Sequence, residues 1–302
     1  MKKTILSIAL ALVFTAALAQ KPQPDLPNQK YGPGERNVMD VWFAKSDKPA
    51  PLAIFVHGGG FTSGDKSSLN KAALSELLES GITVAAINYR YRTGESEGVM
   101  ASLSDVKYAL QYLRHNAGKW NIDKNCVGMM GGSAGAGSSL WIAFHDDMAD
   151  PKAKDPVLRE STRIQAAAVS SPQATYDLLQ WPGLYGLDPD NKYVKVDANA
   201  LNLYGIESID ELDTPEGKKK RAELDMLSML TSDDPPFYAG CKHTAELPPS
   251  SHGQFIHHPL HVKLLKERAE KAGVECKAAV PAYGYLSDLS NTAFIIEKLT
   301  KK

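Results

Sequence analysis

The chain has 302 residues, of which 43% are hydrophobic and 23% charged, and its formal net charge is −1. This length and composition fit one large globular domain with a substantial core. A net charge near zero gives no electrostatic basis for binding nucleic acid or an anionic membrane. The expected partner is therefore a neutral, compact substrate.

The first residues have the composition of a secretory signal. Lys2 and Lys3 precede an apolar run at 5–18, and Ala17-Leu18-Ala19 is a small-residue cleavage pattern. The run is too short for an anchored transmembrane helix. We expect residues 1–19 to be a signal peptide, residues 20–302 to form the mature domain, and the protein to be periplasmic or extracellular with no remaining membrane span.

Short apolar runs separated by helical stretches follow along the mature chain. The proline-rich segment 21–34 is expected to be an extended segment that leads into the first strand. Strands are predicted at 38–43, 52–56, 82–87, 127–130, 166–169, 237–240 and 276–280. Helices are predicted at 106–117 behind a capping box of Ser102 and Asp105, from Pro259 to Gly273, and around 294–299. This alternation predicts a mainly parallel, doubly wound α/β sheet.

Between the fifth and sixth predicted strands lies a segment longer than a connection needs. We expect residues from about 172 to 235 to form a small helical cap, which also offers a surface for a homodimer. Its basic run Lys218–Arg221 is expected to be a solvated helix face.

The three cysteines (Cys126, Cys241 and Cys276) allow at most one disulfide, and their positions in or beside apolar runs favour buried thiols.

The run Gly131-Gly132-Ser133-Ala134-Gly135 follows a predicted strand and precedes a predicted helix. Small residues around a serine allow a strand and a helix to meet at a sharp turn, where the hydroxyl is exposed. Ser133 is therefore the candidate nucleophile. The alternative is a glycine-rich turn with a purely structural role.

A second glycine run, His57-Gly58-Gly59-Gly60, also follows a predicted strand. Consecutive glycines cost conformational entropy on folding, and a backbone that passes close to a ligand is a reason to keep them. We expect the N–H groups of Gly59, Gly60 and Ala134 to form an oxyanion hole. His57 is expected to be a structural hydrogen-bonding residue.

Together these motifs resemble the bacterial esterases of the hormone-sensitive-lipase type, and within that group the feruloyl-esterase-like and acetylxylan-esterase-like α/β hydrolases. The matching stretches are 57–61, 63–66, 88–90, 105–114, Trp120, 122–123, 131–135 and 234–236. The resemblance implies an α/β-hydrolase fold and a serine carboxylic-ester hydrolase that needs no metal or organic cofactor. The implied substrate is a small-molecule or polysaccharide-linked ester.

The C-terminal part departs from the family pattern. The family carries an acid just after the strand that follows Asp-Pro-Pro, where Glu246 is the nearest carboxylate here. The family's histidine follows the last strand, but no histidine occurs after His261. A serine needs a neighbouring base, so we expect one from the histidines at 252–261, with His258 as the choice and Glu246 as its orienting acid.

Other interpretations remain open at this stage. His257 and His261 are four residues apart, but no ligand set at a recognisable spacing completes a metal site. The missing C-terminal histidine is compatible with a hydrolase fold that binds without turnover. Amide or peptide cleavage shares the same acyl chemistry.

Overall fold

The structure is a computed structural model, and it describes residues 21–92, 97–188, 191 and 198–301. The predicted signal peptide lies outside these residues. Eight strands form one sheet in the order β1-β2-β4-β3-β5-β6-β7-β8. They are β1 (Leu26–Lys30), β2 (Val38–Trp42), β3 (Ala50–Val56), β4 (Thr83–Ile87), β5 (Ile122–Gly132), β6 (Ala166–Ser170), β7 (Phe237–Gly240) and β8 (Cys276–Ala279).

Helices connect and cover these strands. They are α1 (Lys71–Glu79), α2 (Val99–His115), α3 (Ala134–Phe144), α4 (Trp181–Tyr185), α5 (Ala198–Tyr204), α6 (Pro215–Glu223), α7 (Met226–Met229), α8 (His252–Ile256), α9 (Leu260–Ala272) and α10 (Asn291–Thr300). None of the helices in the described ranges is long and apolar enough to cross a bilayer.

The sheet is mainly parallel, as predicted. β1 and β2 pair antiparallel with each other, and β2 pairs antiparallel with β4, whereas β3 to β8 run parallel. The central strands are nearly continuous apolar runs because helices cover both of their faces. Val56, Gly131 and Val169 are register partners, so the carboxyl ends of β3, β5 and β6 meet at one edge.

Two apolar clusters lie on opposite faces of the sheet. One contains Leu110 of α2, Leu140 of α3 and Leu265 of α9. The other contains Leu74 of α1 and Phe294 of α10. Since both faces are packed, the architecture is the doubly wound α/β sheet expected from the sequence.

The described chain between β6 and β7 is helical, comprising α4 to α7 and short 3-10 turns. Arg221 at the end of the basic run bonds to Asp177 at 2.8 Å, so this residue anchors the segment instead of facing solvent. Trp141 of α3 donates to the Glu223 carbonyl at 2.9 Å. The division of the chain at about 172–235 into a separate cap stays a prediction.

Two local predictions were wrong. The approach segment 21–34 contains the edge strand β1, whose residues carry no apolar alternation. Helix α2 begins at Val99, so Ser102 and Asp105 lie inside it and do not cap it. Asp105 instead holds Arg90 in a 2.9 Å ion pair, because that long-range contact outweighs the local capping preference.

All three cysteines are free thiols.

Candidate active site

Ser133 lies at the turn between β5 and α3, with φ 53° and ψ −118°. This is a sparsely populated backbone conformation for a residue with a side chain, and such strain occurs where the surrounding structure enforces it. The Ser133 N–H donates to the Ser170 carbonyl at 3.0 Å, and the Ser133 carbonyl accepts from the Gly137 N–H at 2.9 Å. The turn therefore holds Ser133 at the carboxyl edge of the sheet.

Glycine is required on both sides of this serine because β3 runs very close. A Cβ atom on Gly131 would lie 2.5 Å from the Val56 carbonyl oxygen, and one on Gly135 would lie 2.0 Å from it. The sequence motif thus reflects contact between three backbone segments. Any larger residue at these two positions would push β3 and α3 apart.

The ring of His257 contacts Ser133, with 2.8 Å between His257 Nε2 and Ser133 Oγ. His257 is the C-cap residue of α8, in the crossover between β7 and β8. The structure therefore corrects the choice of His258 for this position. Consecutive residues at a helix end project about 100° apart, so only one of the two neighbouring rings can face the serine.

Three successive carbonyls hold the backbone that carries His257. Tyr185 donates its hydroxyl to the Phe255 carbonyl at 2.6 Å, and Gln173 donates its amide to the Ile256 carbonyl at 2.8 Å. The Cys241 thiol donates to the His257 carbonyl at 3.2 Å. Tyr185 and Gln173 both come from the segment between β6 and β7, so that segment fixes the position of the ring.

His258 is buried behind this loop. Its Nδ1 accepts from the Leu260 N–H at 3.1 Å, and its ring packs edge-on against Tyr185 at 5.3 Å. Burial lowers the pKa of His258, and backbone carbonyls of Glu246 and Ala245 act in the opposite direction. Its Nε2 makes no hydrogen bond of good geometry among the described residues.

His261, one turn further on, is also enclosed. Its Nδ1 accepts from the Ala174 N–H at 3.3 Å, and its Nε2 lies 2.9 Å from the Tyr185 hydroxyl oxygen. Because the Tyr185 hydroxyl already donates to the Phe255 carbonyl, His261 Nε2 is the donor in their contact. Burial lowers the pKa of His261 to about 3, so the ring is neutral in the folded protein.

The pKa of His257 is lowered from its ordinary value, with burial as the largest cause. The nearby rings of His243 and His252 lower it further, whereas a hydrogen bond to the Gly253 backbone raises it. A ring with a lowered pKa is neutral at neutral pH and can accept a proton from a serine.

Glu246, the predicted orienting acid, is solvent-exposed. Within the described ranges its carboxylate forms no hydrogen bond or ion pair with His257 or His258. An exposed carboxylate stays hydrated, and no buried partner repays its desolvation at this position. The prediction for Glu246 is therefore corrected, and no other carboxylate of the described chain bonds to His257.

The glycine loop passes directly over the serine. A Cβ on Gly58 would lie 2.9 Å from the Gly132 carbonyl oxygen and 3.5 Å from Ser133 Cβ. Gly59 and Gly60 have φ values of 108° and 60°. In the described part of the chain their N–H groups donate no hydrogen bond to protein, and the Ala134 N–H opens α3, where helices leave donors unpaired. Their role at an oxyanion stays a prediction.

A cavity of about 740 Å³ adjoins this site at the carboxyl ends of β6, β7 and β8. Ser170 and His243 line it beside the serine and histidine, and Tyr285, Ser287, Asp288 and Asn291 form its far side. The ring of His243 stacks on that of His257 with centroids 5.8 Å apart. Neither Ser133 nor His257 lines the cavity, which borders the pair through His243 and Ser170.

The described residues contain no group of three or more His, Cys, Asp or Glu side chains that could hold a metal ion.

Gln173, Tyr185 and Cys241 were missed by sequence reasoning. They contribute through single hydrogen bonds to a distant backbone, and no local pattern marks such contacts. The choice between His257 and His258 was equally out of reach, because both rings share the same local sequence.

Comparisons with known proteins bear on the family and the fold of the chain. The BD-FAE family profile matches residues 39–237. Esterase LipC and Esterase LipQ of Mycobacterium tuberculosis are 35% and 32% identical over 107 and 148 residues, covering 35% and 48% of this chain. These matches span only 26% and 34% of the two relatives, so about a quarter to a third of their length is compared.

Solved structures share the fold at low identity. An acetyl ester-xyloside bifunctional hydrolase from Caldicellulosiruptor lactoaceticus superposes with a TM-score of 0.62 at 22% identity, covering 86% of each chain. A truncated carbohydrate esterase from gut microbiota gives a TM-score of 0.68 at 18% identity, covering 91% of this chain and 96% of that one. The predicted α/β-hydrolase fold is confirmed. With the profile matching most of the sheet and both glycine motifs, the chain belongs to the BD-FAE family.

Proposed function

We propose that this protein hydrolyses a carboxylic ester through an acyl-enzyme on Ser133. The observation that carries the proposal is the 2.8 Å contact between Ser133 Oγ and His257 Nε2 at a strained turn, next to glycine N–H groups that donate no hydrogen bond within the described residues. The named esterases to which the chain is similar support the same reaction class.

In the first half of the reaction, His257 Nε2 takes the hydroxyl proton while Ser133 Oγ attacks the acyl carbon. The N–H groups of Gly59, Gly60 and Ala134 stabilise the negative charge that forms on the carbonyl oxygen. The tetrahedral intermediate then collapses, and the alcohol leaves with the proton held by His257. The acyl group remains bonded to Ser133.

In the second half, a water molecule gives a proton to His257 and attacks the acyl-enzyme. Collapse of this second intermediate returns the proton to Ser133 Oγ and releases the carboxylic acid. The same base therefore serves both halves, as in other serine hydrolases.

No carboxylate of the described chain forms a hydrogen bond with the His257 ring, and we propose that His257 acts without an orienting acid. The catalytic unit is then a dyad of Ser133 and His257.

The substrate is proposed to be a small-molecule or polysaccharide-linked ester, with part of it in the adjoining cavity. The polar groups of Ser287, Asp288 and Asn291 suit a hydroxylated moiety. The carbohydrate esterases that share the fold are consistent with this choice. Export by the predicted signal peptide is part of the proposal, and the N-terminal sequence of the mature protein from a periplasmic extract tests it.

The test is labelling with a fluorophosphonate probe followed by intact-mass measurement, together with p-nitrophenyl acetate turnover. Wild type is expected to carry one adduct, and Ser133→Ala none. His257→Gln is expected to lose about 10²–10⁴ in kcat, the usual contribution of a general base. His258→Gln is the matched control and should retain kcat within a few-fold.

A folded wild type that forms no adduct would refute the proposal and support a binding protein with a hydrolase fold. Adduct formation with turnover of a p-nitroanilide but not of an ester would favour the peptidase alternative. Loss of activity in His258→Gln, with His257→Gln active, would restore His258 as the base.

A further inference from the structure

His57 is buried between groups that contact both of its ring nitrogens. Its Nδ1 lies 2.7 Å from the Gly58 carbonyl oxygen, and its Nε2 lies 3.3 Å from a terminal guanidinium nitrogen of Arg36. The ring stacks on Tyr89 with centroids 4.2 Å apart and planes 15° apart. Among the described residues no hydrogen bond joins its ring to Ser133, and its structural role stays a prediction.

These contacts select one protonation state. A carbonyl oxygen only accepts hydrogen bonds, and an arginine only donates them. The one form of His57 that satisfies both has its hydrogen on Nδ1 and a lone pair on Nε2. A doubly protonated ring would direct its Nε2 proton at the Arg36 cation. Burial is the largest cause that lowers the pKa of His57 from its usual value, and the charge of Arg36 lowers it further.

The Nδ1 hydrogen bond bears on the site through the peptide plane. The Gly58 carbonyl and the Gly59 N–H belong to one planar unit and point in opposite directions. Holding the carbonyl oxygen with the His57 ring therefore sets the direction of the Gly59 N–H. The next plane is held similarly, since the Gly59 carbonyl accepts from the N–H groups of Thr62 and Ser63, both at 3.0 Å.

Arg36 is itself fixed. Its Nε donates to the Tyr89 carbonyl at 2.9 Å, and the nitrogen near His57 also donates to the Gly64 carbonyl at 3.1 Å. The guanidinium lies 3.8 Å from the centre of the Tyr91 ring. In the described ranges no carboxylate forms an ion pair with Arg36, so its charge acts on carbonyls and on His57.

We propose that Arg36 is a positioning residue: it fixes the Nδ1–H tautomer of His57 and thereby aims the Gly59 N–H at the oxyanion. The kinetic part rests on the proposed ester hydrolysis. The tautomer part does not, because it concerns the resting protein.

The primary test is NMR of protein labelled with ¹⁵N-histidine, using two-bond ¹H–¹⁵N correlations that report which ring nitrogen is protonated. The His57→Gln spectrum assigns the resonance. Wild type is expected to show His57 protonated on Nδ1 alone at pH 7 to 8. Arg36→Met is expected to show the Nε2–H form or a doubly protonated ring. A wild-type ring protonated on Nε2, or an unchanged spectrum in Arg36→Met, would overturn the proposal.

The second test is steady-state kinetics. Arg36→Met is expected to lower kcat about tenfold with KM within about twofold, a fraction of the loss caused by removing an oxyanion donor outright. Arg36→Lys should recover part of the loss, because its ammonium can donate to Nε2. The exposed Arg159→Met removes the same charge elsewhere and should leave kcat unchanged.

These readouts separate the two proposals. A wild type without esterase turnover would defeat ester hydrolysis, and the NMR result would still decide whether Arg36 sets the tautomer. A changed tautomer in Arg36→Met with unchanged kcat would overturn the link to the oxyanion.

Discussion

Replacing His243 by glutamate would place a negative charge beside the proposed base. The ring centroids of His243 and His257 are 5.8 Å apart. Over that distance two unit charges interact by about 3 kcal/mol at an effective dielectric of 20 and by about 0.7 kcal/mol in bulk water. His243 is exposed, so an intermediate value applies, and about 1.4 kcal/mol corresponds to one pKa unit.

An anion favours the protonated ring, so His243→Glu is expected to raise the pKa of His257 by about one unit. The neutral base would then be lost at a higher pH, and the acidic limb of the kcat/KM profile would move upward by the same amount. The profile is measured with p-nitrophenyl acetate at low salt. Because surface charges are screened, the shift should shrink in 1 M NaCl.

His243→Gln is the control, since it removes the histidine without adding a negative charge. An acidic limb that does not move in His243→Glu at low salt would refute the assignment of His257 as the titrating base.

Two further substitutions test the site and its support. Gly58→Ala puts a Cβ 2.9 Å from the Gly132 carbonyl oxygen. We expect kcat to fall by about 10²–10³ while the protein stays folded. Turnover within twofold of wild type would contradict the close approach of the two backbones. His261→Gln removes a ring whose pKa is lowered to about 3, so the unfolded state binds the extra proton below about pH 6.5. Between pH 6 and 4, the free energy of unfolding measured in urea should fall by about 1.4 kcal/mol per pH unit more for wild type than for this variant. An equal pH dependence in the two proteins would argue against a neutral, buried His261.

The parts of the fold that the sequence predicts are those set by local chemistry. Strands β3, β4, β6 and β7 are short, mostly apolar runs, and the glycines around Ser133 are required by backbone contacts that any such turn makes. Strand β1 was not predicted, because the residues of this edge strand, Leu-Pro-Asn-Gln-Lys, do not alternate between apolar and polar. The start of α2 at Val99 was not predicted because its N-cap is Gly98, which offers no side-chain cap to read from the sequence.

The base could be narrowed to a segment but not to a residue. His257 and His258 share the same neighbours in sequence. Only the His257 ring faces Ser133, because distant side chains hold the carbonyls at 255–257. The acid was sought by analogy with a triad. Glu246 is near the expected place in the sequence, but its carboxylate remains in solvent.

The attachment of the His257 loop has a consequence for how this scaffold can be altered. Tyr185 and Gln173 belong to the long segment between β6 and β7, and each donates a hydrogen bond to the backbone beside His257. The support of the proposed base therefore depends on a stretch of chain separate from the residues that line the cavity. Grafting the insertion of a relative onto this sheet would also exchange the supports of the histidine, so a chimera would need Gln173 and Tyr185 retained to keep its chemistry.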